Sequence, residues 1–309
     1  MAIKITVNDL GNYNTKALDV DTNKKICFSS KTSKDYESTP ELFNWVKHEE
    51  GITYFEKGNF SMENVKTNKD FTNQLLYSMA KLYDEEEIET NLCLLLPTQQ
   101  MTIENKTKYL NLKNKIFEYE CRANGNVGKR KLTIKDVMVL PEGYVTFFSL
   151  PKELQTKSIL IIDIGGRTSN YCSFINGILE VNKTSNIGSL DFYERIRLQN
   201  ASKQCDLKDI ERFIKSKYVT VHKKDYIRFY NDIIEDVQSH GCILDHFDNI
   251  IFSGGGSSLL NIDCVKEKIP QKAKVLDNNL YSNVIGAGVV AKMKWGDDNG
   301  KTEGNRKAE

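Results

Sequence analysis

An aspartate followed by two glycines ends an apolar run in the middle of the chain, in the stretch ILIIDIGGRTSN that spans residues 159–170. Asp163 closes a strand predicted to be buried, where the charge of a carboxylate must be compensated. A metal-bound polyphosphate can do this, because a carboxylate holds Mg²⁺, usually through its waters. Gly165 and Gly166 let backbone N–H groups approach phosphate oxygens closely. The stretch therefore predicts a phosphate-binding turn.

The N-terminal region repeats this pattern. Ile3, Ile5 and Val7 alternate with polar residues, which predicts a half-buried strand. It runs into a turn rich in Asn and Gly over residues 8–16, with Asp9 in the place of the first aspartate. Lys16 can neutralise phosphate charge. Three hydroxyl groups in the two turns can add donors to the phosphates: those of Thr15, Thr168 and Ser169.

Each aspartate opens a unit of three short strands. The predicted strands lie near residues 3–7, 17–20 and 26–28 in the first unit, and at 158–164, 170–175 and 178–181 in the second. An Asn176-Gly177 pair joins the last two strands and favours a two-residue hairpin. The two aspartates lie about half the chain apart. This repetition predicts two halves of similar design that face each other.

Helices and further strands alternate between and after these units, which indicates an α/β fold. The predicted helices cover residues 71–83, 101–115, 188–199, 226–238 and 284–295, and the predicted strands cover 91–96, 137–140 and 249–252.

The last of these strands runs into three glycines, Gly254 to Gly256, and then Ser257. A strand, a glycine turn and a helix together let the backbone lie flat against a base or ribose, and a helix N-terminus attracts phosphate. A tight strand-to-helix turn with no ligand is the alternative. Neither the G-x-x-x-x-G-K-[ST] loop nor the G-x-G-x-x-G dinucleotide motif is present.

Composition limits the classes of function. The 309 residues include 43 basic and 42 acidic side chains, so the net charge of +1 does not favour direct coating of nucleic acid or an anionic membrane. No apolar run reaches the roughly 20 residues that span a bilayer. The N-terminus lacks the pattern of a signal peptide. We expect a soluble, cytoplasmic protein without a membrane partner.

Cysteine and histidine spacing does not indicate a metal centre. The seven cysteines contain no C-x-x-C pair and fit reduced thiols. The one close cluster, His240, Cys242 and His246, lacks the four well-spaced ligands of a zinc site. We interpret it as a helix end and a loop.

The two aspartate turns and the Ser253-Gly-Gly-Gly256 turn together resemble the actin-like ATPases, and their order covers almost the whole chain. Within that superfamily, the chain looks most like the ParM-type plasmid-segregation proteins. Three further segments carry this resemblance: Leu140-Pro-Glu-Gly143, Asn186-Ile-Gly188 and Ser282-Asn-Val-Ile-Gly286.

The resemblance implies an actin-like (ribonuclease H-like) fold, with two similar α/β domains that flank a nucleotide cleft. Residues 1–150 would form domain I and residues 151–283 domain II. The helix at 284–295 would pack back on domain I, and the polar segment 296–309 would be a flexible tail.

The resemblance also implies a mechanism. ATP or GTP would bind with Mg²⁺, favour head-to-tail helical filaments of the protein with itself, and weaken the polymer on hydrolysis. Glu142 would orient or deprotonate the attacking water, and Asp9 and Asp163 would hold Mg²⁺ through its waters. The implied phosphate contacts are Gly11, Asn12, Asn14, Thr15, Lys16, Gly165, Gly166 and Thr168, with Gly188 in the segment after the second turn; Gly254, Gly255, Gly256 and Ser257 would face the nucleoside. The filament would segregate a plasmid through a DNA-binding adaptor and contact centromere-like DNA only indirectly.

Several alternatives stay open at this point. Arg167 could reach the γ-phosphate, pair with an acidic residue at a filament contact, or face solvent. Glu211 and Lys215, one helical turn apart, could contact the base or ribose or form an exposed ion pair. A small-molecule kinase on the same fold is a second function, although no sugar-binding cluster is visible. A non-hydrolysing actin-like scaffold is a third.

Overall fold

The computed structural model describes residues 2–49 and 51–296. Its strands and helices follow one another in the order β1 (Lys4–Leu10), β2 (Asn14–Asp19), β3 (Lys25–Ser29), β4 (Thr32–Ser33), β5 (Asn44–His48), β6 (Gly51–Phe55), α1 (Phe71–Leu82), β7 (Glu87–Leu96), α2 (Ile103–Leu110), β8 (Ile116–Ala123), β9 (Asn126–Pro141), α3 (Lys152–Gln155), β10 (Ile159–Ile164), β11 (Ser169–Ile175), β12 (Ile178–Ser185), α4 (Ser189–Gln199), α5 (Ile210–Lys215), α6 (Lys223–Ser239), β13 (Asn249–Ser253), α7 (Asp263–Lys266), β14 (Ala273–Val275) and α8 (Ser282–Trp295). No helix within the described ranges is long and apolar enough to cross a membrane.

The described chain divides into two compact units. The first contains the described residues up to 96, residues 100–141 and the described residues from 283 onward; the second contains residues 97–99 and 142–282. The domain bounds expected from the sequence, 1–150 and 151–283, stay predictions. The tail expected at 296–309 lies outside the described residues, apart from Gly296.

The first unit is built on a nine-stranded sheet in the order β3-β2-β1-β7-β9-β8-β5-β6-β4. Helix α1 buries Leu75, Leu76 and Met79 completely, as their helical spacing predicts. The N-cap Asp70 begins this helix by accepting a hydrogen bond from the backbone N–H of Asn73. An apolar core therefore supports the sheet where β1 ends.

Helix α8 belongs to the first unit from residue 283 onward. It approaches β2 closely at Gly288, where a Cβ would lie 2.7 Å from Leu18 Cδ2. At its other end, Trp295 Nε1 donates to Asp136 Oδ2 at 3.0 Å. Two lysines, Lys113 and Lys294, also pair with the Asp136 carboxylate. These contacts fix α8 against the first unit.

The second unit has a five-stranded sheet in the order β12-β11-β10-β13-β14. All six residues of the central strand β10 are buried, as its apolar sequence predicts. The rings of Phe147 and Phe174 stack at a centroid distance of 4.0 Å and close the core on this strand.

The repeat expected from the sequence is present. In each unit, three successive strands pair antiparallel: β1-β2-β3 in the first and β10-β11-β12 in the second. The first strand of each set also pairs in parallel with a later strand, β7 or β13. This topology places Asp9 and Asp163 near the carboxyl end of an inner strand in their own unit.

Several strands and boundaries differ from the sequence-based expectation. Strands β4 to β6, β8 and β14 were not predicted, and β9 runs over sixteen residues instead of the four expected at 137–140. The β8-β9 hairpin contains many charged residues, which disfavour strands. Cross-strand pairing compensates for this, because Glu118 lies opposite Lys131 and Glu120 lies opposite Lys129. The helix expected at 101–115 is shorter, and the first turn covers only residues 11–13.

Candidate functional site

Side chains of the first unit donate hydrogen bonds to the backbone carbonyl groups of the first turn. Lys69 Nζ donates to Leu10 O at 2.6 Å and to Gly11 O at 3.2 Å. Gln74 Nε2 also donates to Gly11 O, at 3.1 Å. The described peptide bonds are all trans, so the N–H that follows each carbonyl points the opposite way. The N–H groups of Gly11 and Asn12 therefore point away from Lys69 and Gln74.

Two side chains in and next to this turn form hydrogen bonds within the first unit. Asn12 Nδ2 donates to Glu63 O at 3.3 Å. The hydroxyl of Thr15 is completely buried and lies 2.5 Å from Gln74 Nε2 and 3.0 Å from Ser30 Oγ. A Cβ at Gly11 would overlap the carbonyl oxygen of Asn14, so the turn needs a glycine there. The structure thus places Thr15 behind the turn, where it supports the backbone.

Two lysines occupy the carboxylate of Asp9. Lys16 lies directly opposite Asp9 in the β1-β2 pairing, and its Nζ is 2.9 Å from Asp9 Oδ2. Lys66 Nζ is 2.5 Å from Asp9 Oδ1. Burial raises the pKa of Asp9, but the charges and hydrogen bonds of both lysines outweigh it and hold that pKa well below its usual range. Lys16 was predicted from its place after the first turn, whereas Lys66 was not, because it lies in a segment without a motif.

This arrangement bears on the metal role expected for Asp9. The ammonium groups of Lys16 and Lys66 stand where a cation bound directly to the two oxygens would lie. The carboxylate therefore does not fit a direct metal ligand. Within residues 2–49 and 51–296, no group of three or more His, Cys, Asp and Glu side chains could hold a metal ion. This finding includes the cluster around Cys242.

The second turn is held in the same manner, but by a helix N-terminus. The backbone N–H of Ser189 donates to Gly165 O at 3.0 Å, and that of Leu190 donates to Gly166 O at 2.8 Å. These are first-turn N–H groups of α4, which have no partner within the helix. By the same trans-peptide geometry, the N–H groups of Gly166 and Arg167 point away from α4. In both turns, donors of the same unit therefore bond to two successive backbone carbonyls. The two N–H groups that follow these carbonyls point away from those donors.

Gly188 allows this close approach of α4 to the second turn. A Cβ at Gly188 would overlap Gly166 O. The carboxylate of Asp191 accepts a hydrogen bond of 2.8 Å from the Gly188 N–H. Burial raises the pKa of Asp191, although the Gly188 bond and the charges of Arg195 and Arg167 oppose that shift. The positive charge of Arg167 therefore acts on the residue that caps α4.

One amide side chain links the two acidic residues of the second unit. Asn170 Nδ2 lies 3.4 Å from Asp163 Oδ2 and 3.5 Å from Glu142 Oε2, at the long limit of hydrogen bonding. The hydroxyl of Thr184 donates to Asn170 Oδ1 at 2.8 Å. Ser253 Oγ lies 3.3 Å from Asp163 Oδ1. All of these side chains except that of Thr184 are buried, and Asp163 is only 2% exposed.

The glycine after Glu142 brings that residue to the sheet. Gly143 has a φ of +72°, a conformation that favours glycine. A Cβ there would lie 2.7 Å from Asn170 Cβ and 3.2 Å from Cys172 Sγ. Glu142 was predicted as a site residue, whereas Asn170 was not. The register of the β10-β11 hairpin could have identified Asn170, because this residue lies directly opposite Asp163 in the pairing.

The triple glycine lies against the end of β10. Gly254 has a φ of +79°, and a Cβ there would overlap Ile164 O and lie 2.6 Å from Asp163 Oδ1. A Cβ at Gly256 would lie 2.5 Å from Ile164 Cγ2. The helix that follows the turn is a 3₁₀ helix, Gly255–Leu260. Ser257 Oγ donates to Gly254 O at 2.7 Å and closes the turn. The glycines thus permit the backbone to pack beside Asp163.

Glu211 and Lys215 form the ion pair that their spacing allows. Lys215 Nζ is 2.7 Å from Glu211 Oε1 on α5, and the Lys215 side chain is 74% exposed. The alternative of an exposed ion pair is therefore realised. A contact of the pair with a base or ribose stays a prediction.

Comparisons with known proteins identify the fold. No protein-family model matches the chain, and no curated protein matches its sequence. The solved structure of the actin-like protein Alp7A is 12% identical, with a TM-score of 0.77 over 98% of this chain and 99% of that one. A 15-stranded ParM filament from Clostridium botulinum is 18% identical, with a TM-score of 0.75 over 95% and 100%. Ta0583, an archaeal actin homolog in complex with ADP, is 17% identical, with a TM-score of 0.75 over 95% and 100%.

These similarities extend over nearly the full length of both partners. The chain therefore has the actin-like fold, and the mixed α/β fold and the resemblance predicted from the two aspartate turns and the glycine turn are confirmed.

Proposed function

We propose that this protein binds ATP or GTP, assembles with itself into a filament in response, and hydrolyses the nucleotide. The observation that carries the proposal is the repeated turn. In each unit, donors of that unit bond to two successive carbonyls of the turn, and the two N–H groups that follow point away from these donors. Such pairs of N–H groups are suited to phosphate oxygens. The resemblance in fold to an actin homolog solved with ADP supports a nucleotide as the source of the phosphates.

Each turn supplies a distinct part of the phosphate binding. In the first turn, the N–H groups of Gly11 and Asn12 and the ammonium of Lys16 bind phosphate oxygens. In the second turn, Gly166 and Arg167 provide the N–H groups. The other predicted contacts are the side chains of Asn14 and Thr168. The nucleoside lies on Gly254 to Gly256, and Thr15 acts indirectly by supporting its turn.

The reacting centre of the proposal is the group formed by Glu142, Asn170 and Asp163. Glu142 orients the attacking water and accepts its proton. Asn170, fixed by Thr184, keeps the two carboxylates apart while it faces both of them. Asp163 is the carboxylate suited to hold the waters of Mg²⁺, which would neutralise charge on the phosphates when it is bound with the nucleotide.

Filament formation rests on the likeness to actin-like proteins, one of which was solved as a ParM filament. Contacts between unlike faces of identical subunits give helical polymers when they do not close into a ring. We propose that such a filament segregates a plasmid through a DNA-binding adaptor, because the net charge of +1 disfavours direct DNA binding. The seven free cysteines suit a reducing compartment, and we place this activity in the cytoplasm.

Electron microscopy of the purified protein tests the proposal. We expect filaments after addition of Mg-ATP or Mg-GTP and only dispersed subunits without nucleotide. Glu142→Gln should form filaments that persist, because assembly needs binding and disassembly needs hydrolysis. Absence of polymer with either nucleotide at high protein concentration would contradict the proposal. Phosphoryl transfer to a sugar or acid in a substrate panel would favour the kinase alternative.

A further inference from the structure

The segment that leads into α1 is fixed tightly within the first unit. Gln100 Oε1 accepts a 3.0 Å hydrogen bond from the backbone N–H of Lys66, and Gln100 Nε2 donates to Asn64 O at 3.0 Å. One residue further on, Thr67 Oγ1 donates to Asn105 Oδ1 at 2.7 Å. Both partner side chains are buried. Lys66 therefore stands on a rigid backbone and not on a mobile loop.

The side chain of Lys66 is also held in one position. The residue is 5% exposed, and its ammonium lies 2.5 Å from Asp9 Oδ1. Burial of a charged group and immobilisation of a long side chain both cost free energy. The ion pair with Asp9 offsets part of this cost. A lysine at such a position is pre-organised, which favours the binding of a charged ligand.

The location of this ammonium relates it to the first turn. Asp9 lies two residues before Gly11 and directly opposite Lys16 in the sheet. Lys69, three residues after Lys66, binds the carbonyls of the same turn. The segment thus contributes twice to the turn, once to its backbone through Lys69 and once to its charge through Lys66.

We propose that Lys66 is a further phosphate-binding residue, positioned by Asp9, and that Asp9 acts by holding Lys16 and Lys66 and not as a ligand of a metal ion. The proposal depends on the nucleotide-binding function proposed above. It assigns to the phosphates two ammonium groups on the side of the first turn. It leaves Asp163 as the carboxylate that responds to Mg²⁺.

The first test compares binding of triphosphates and nucleosides by calorimetry in the presence of EDTA. Lys66→Met should weaken ATP and GTP binding roughly 10- to 100-fold, because a charge-assisted contact to phosphate is lost. Its affinity for adenosine and guanosine should stay the same. Lys81→Met is the matched control, since Lys81 forms a comparable 2.7 Å ion pair with Glu56. It should change neither affinity.

A purely structural role for Lys66 makes a different prediction. In that case Lys66→Met would weaken nucleoside and triphosphate binding equally, or would leave both unchanged. Either result would overturn the proposal. A thermal unfolding curve of each variant shows whether the protein is folded at the assay temperature.

The second test measures how strongly Mg²⁺ improves nucleotide binding, as the ratio of affinity with Mg²⁺ to affinity in EDTA. Asp9→Asn should keep this ratio within about twofold of the wild-type ratio, whereas Asp163→Asn should lower it about tenfold. A tenfold fall of the ratio in Asp9→Asn would show that Asp9 is a metal ligand and would refute the inference. A wild-type protein that binds neither ATP nor GTP under any condition would instead refute the proposed function, and the inference with it.

Discussion

Thr184 fixes the side-chain amide of Asn170 by donating a 2.8 Å hydrogen bond to its Oδ1. The amide nitrogen must then face the other side, where Asp163 and Glu142 lie. A donor between two buried carboxylates reduces their mutual repulsion and sets the direction of each. The Thr184 hydroxyl thereby controls the geometry of Glu142 without touching it.

Loss of this hydroxyl should slow hydrolysis. We expect Thr184→Val to lower the rate of phosphate release about tenfold, because the Asn170 amide can then rotate and present its oxygen to the carboxylates. Asn170→Ala should have at least the same effect. The measurement is steady-state phosphate release at saturating nucleotide. Thr156→Val, in which an exposed hydroxyl bound to Glu153 O is lost, should match the wild type.

Glu142 should matter for chemistry and not for binding. Glu142→Gln should lower phosphate release by about 100-fold or more, since the amide cannot accept the proton of the attacking water. Nucleotide affinity, measured by calorimetry, should change little. An unaltered rate of phosphate release in Glu142→Gln would assign the base to another residue.

The close approach at Gly188 predicts a sensitive position for a small substitution. Gly188→Ala adds a methyl group that would overlap Gly166 O, so α4 and the second turn must separate. Overpacking of this type costs about 1–3 kcal/mol. We expect roughly tenfold weaker nucleotide binding.

Gly128→Ala provides the matched control for this substitution. A Cβ at Gly128 meets no atom within 4 Å, so the variant should bind nucleotide as the wild type does. Equal affinity of Gly188→Ala and Gly128→Ala would show that the α4 contact does not position the second turn.

The lysine pair on Asp9 predicts a dependence of stability on pH. The folded-state pKa of Asp9 is lowered from its usual 3.8, so its ionised form contributes stability above that value and loses it as the pH falls through the lowered pKa. Asp9→Asn should reduce the free energy of unfolding at neutral pH by about 3 kcal/mol, because the buried ammonium of Lys66 and the half-buried ammonium of Lys16 lose their carboxylate. Urea unfolding measured from pH 7 into the acid range should show the difference in free energy of unfolding between the wild type and Asp9→Asn. This difference should narrow only below the usual carboxyl pKa. A difference that is constant into the acid range would contradict the ion-pair account.

The sequence predicted those parts of the molecule in which local pattern and tertiary contact agree. Examples are the apolar run of β10, the helical spacing in α1 and the two aspartate turns, whose local sequences each suit only one environment. Strand β8 and the part of β9 before residue 137 escaped prediction because their charged residues are stabilised by partners across the hairpin, and pairing depends on register. Asn170 and Lys66 escaped for the same reason, since their roles arise from neighbours that lie opposite in the sheet or 57 positions away in the chain.

The central claim is that nucleotide binding and hydrolysis control self-assembly. The most direct measurement follows light scattering and phosphate release together after Mg-ATP or Mg-GTP is added to the purified protein. We predict a rise in scattering that decays as phosphate appears, and in Glu142→Gln a rise without the decay. Phosphate release with no change in scattering, or no signal in either channel with both nucleotides, would contradict the claim.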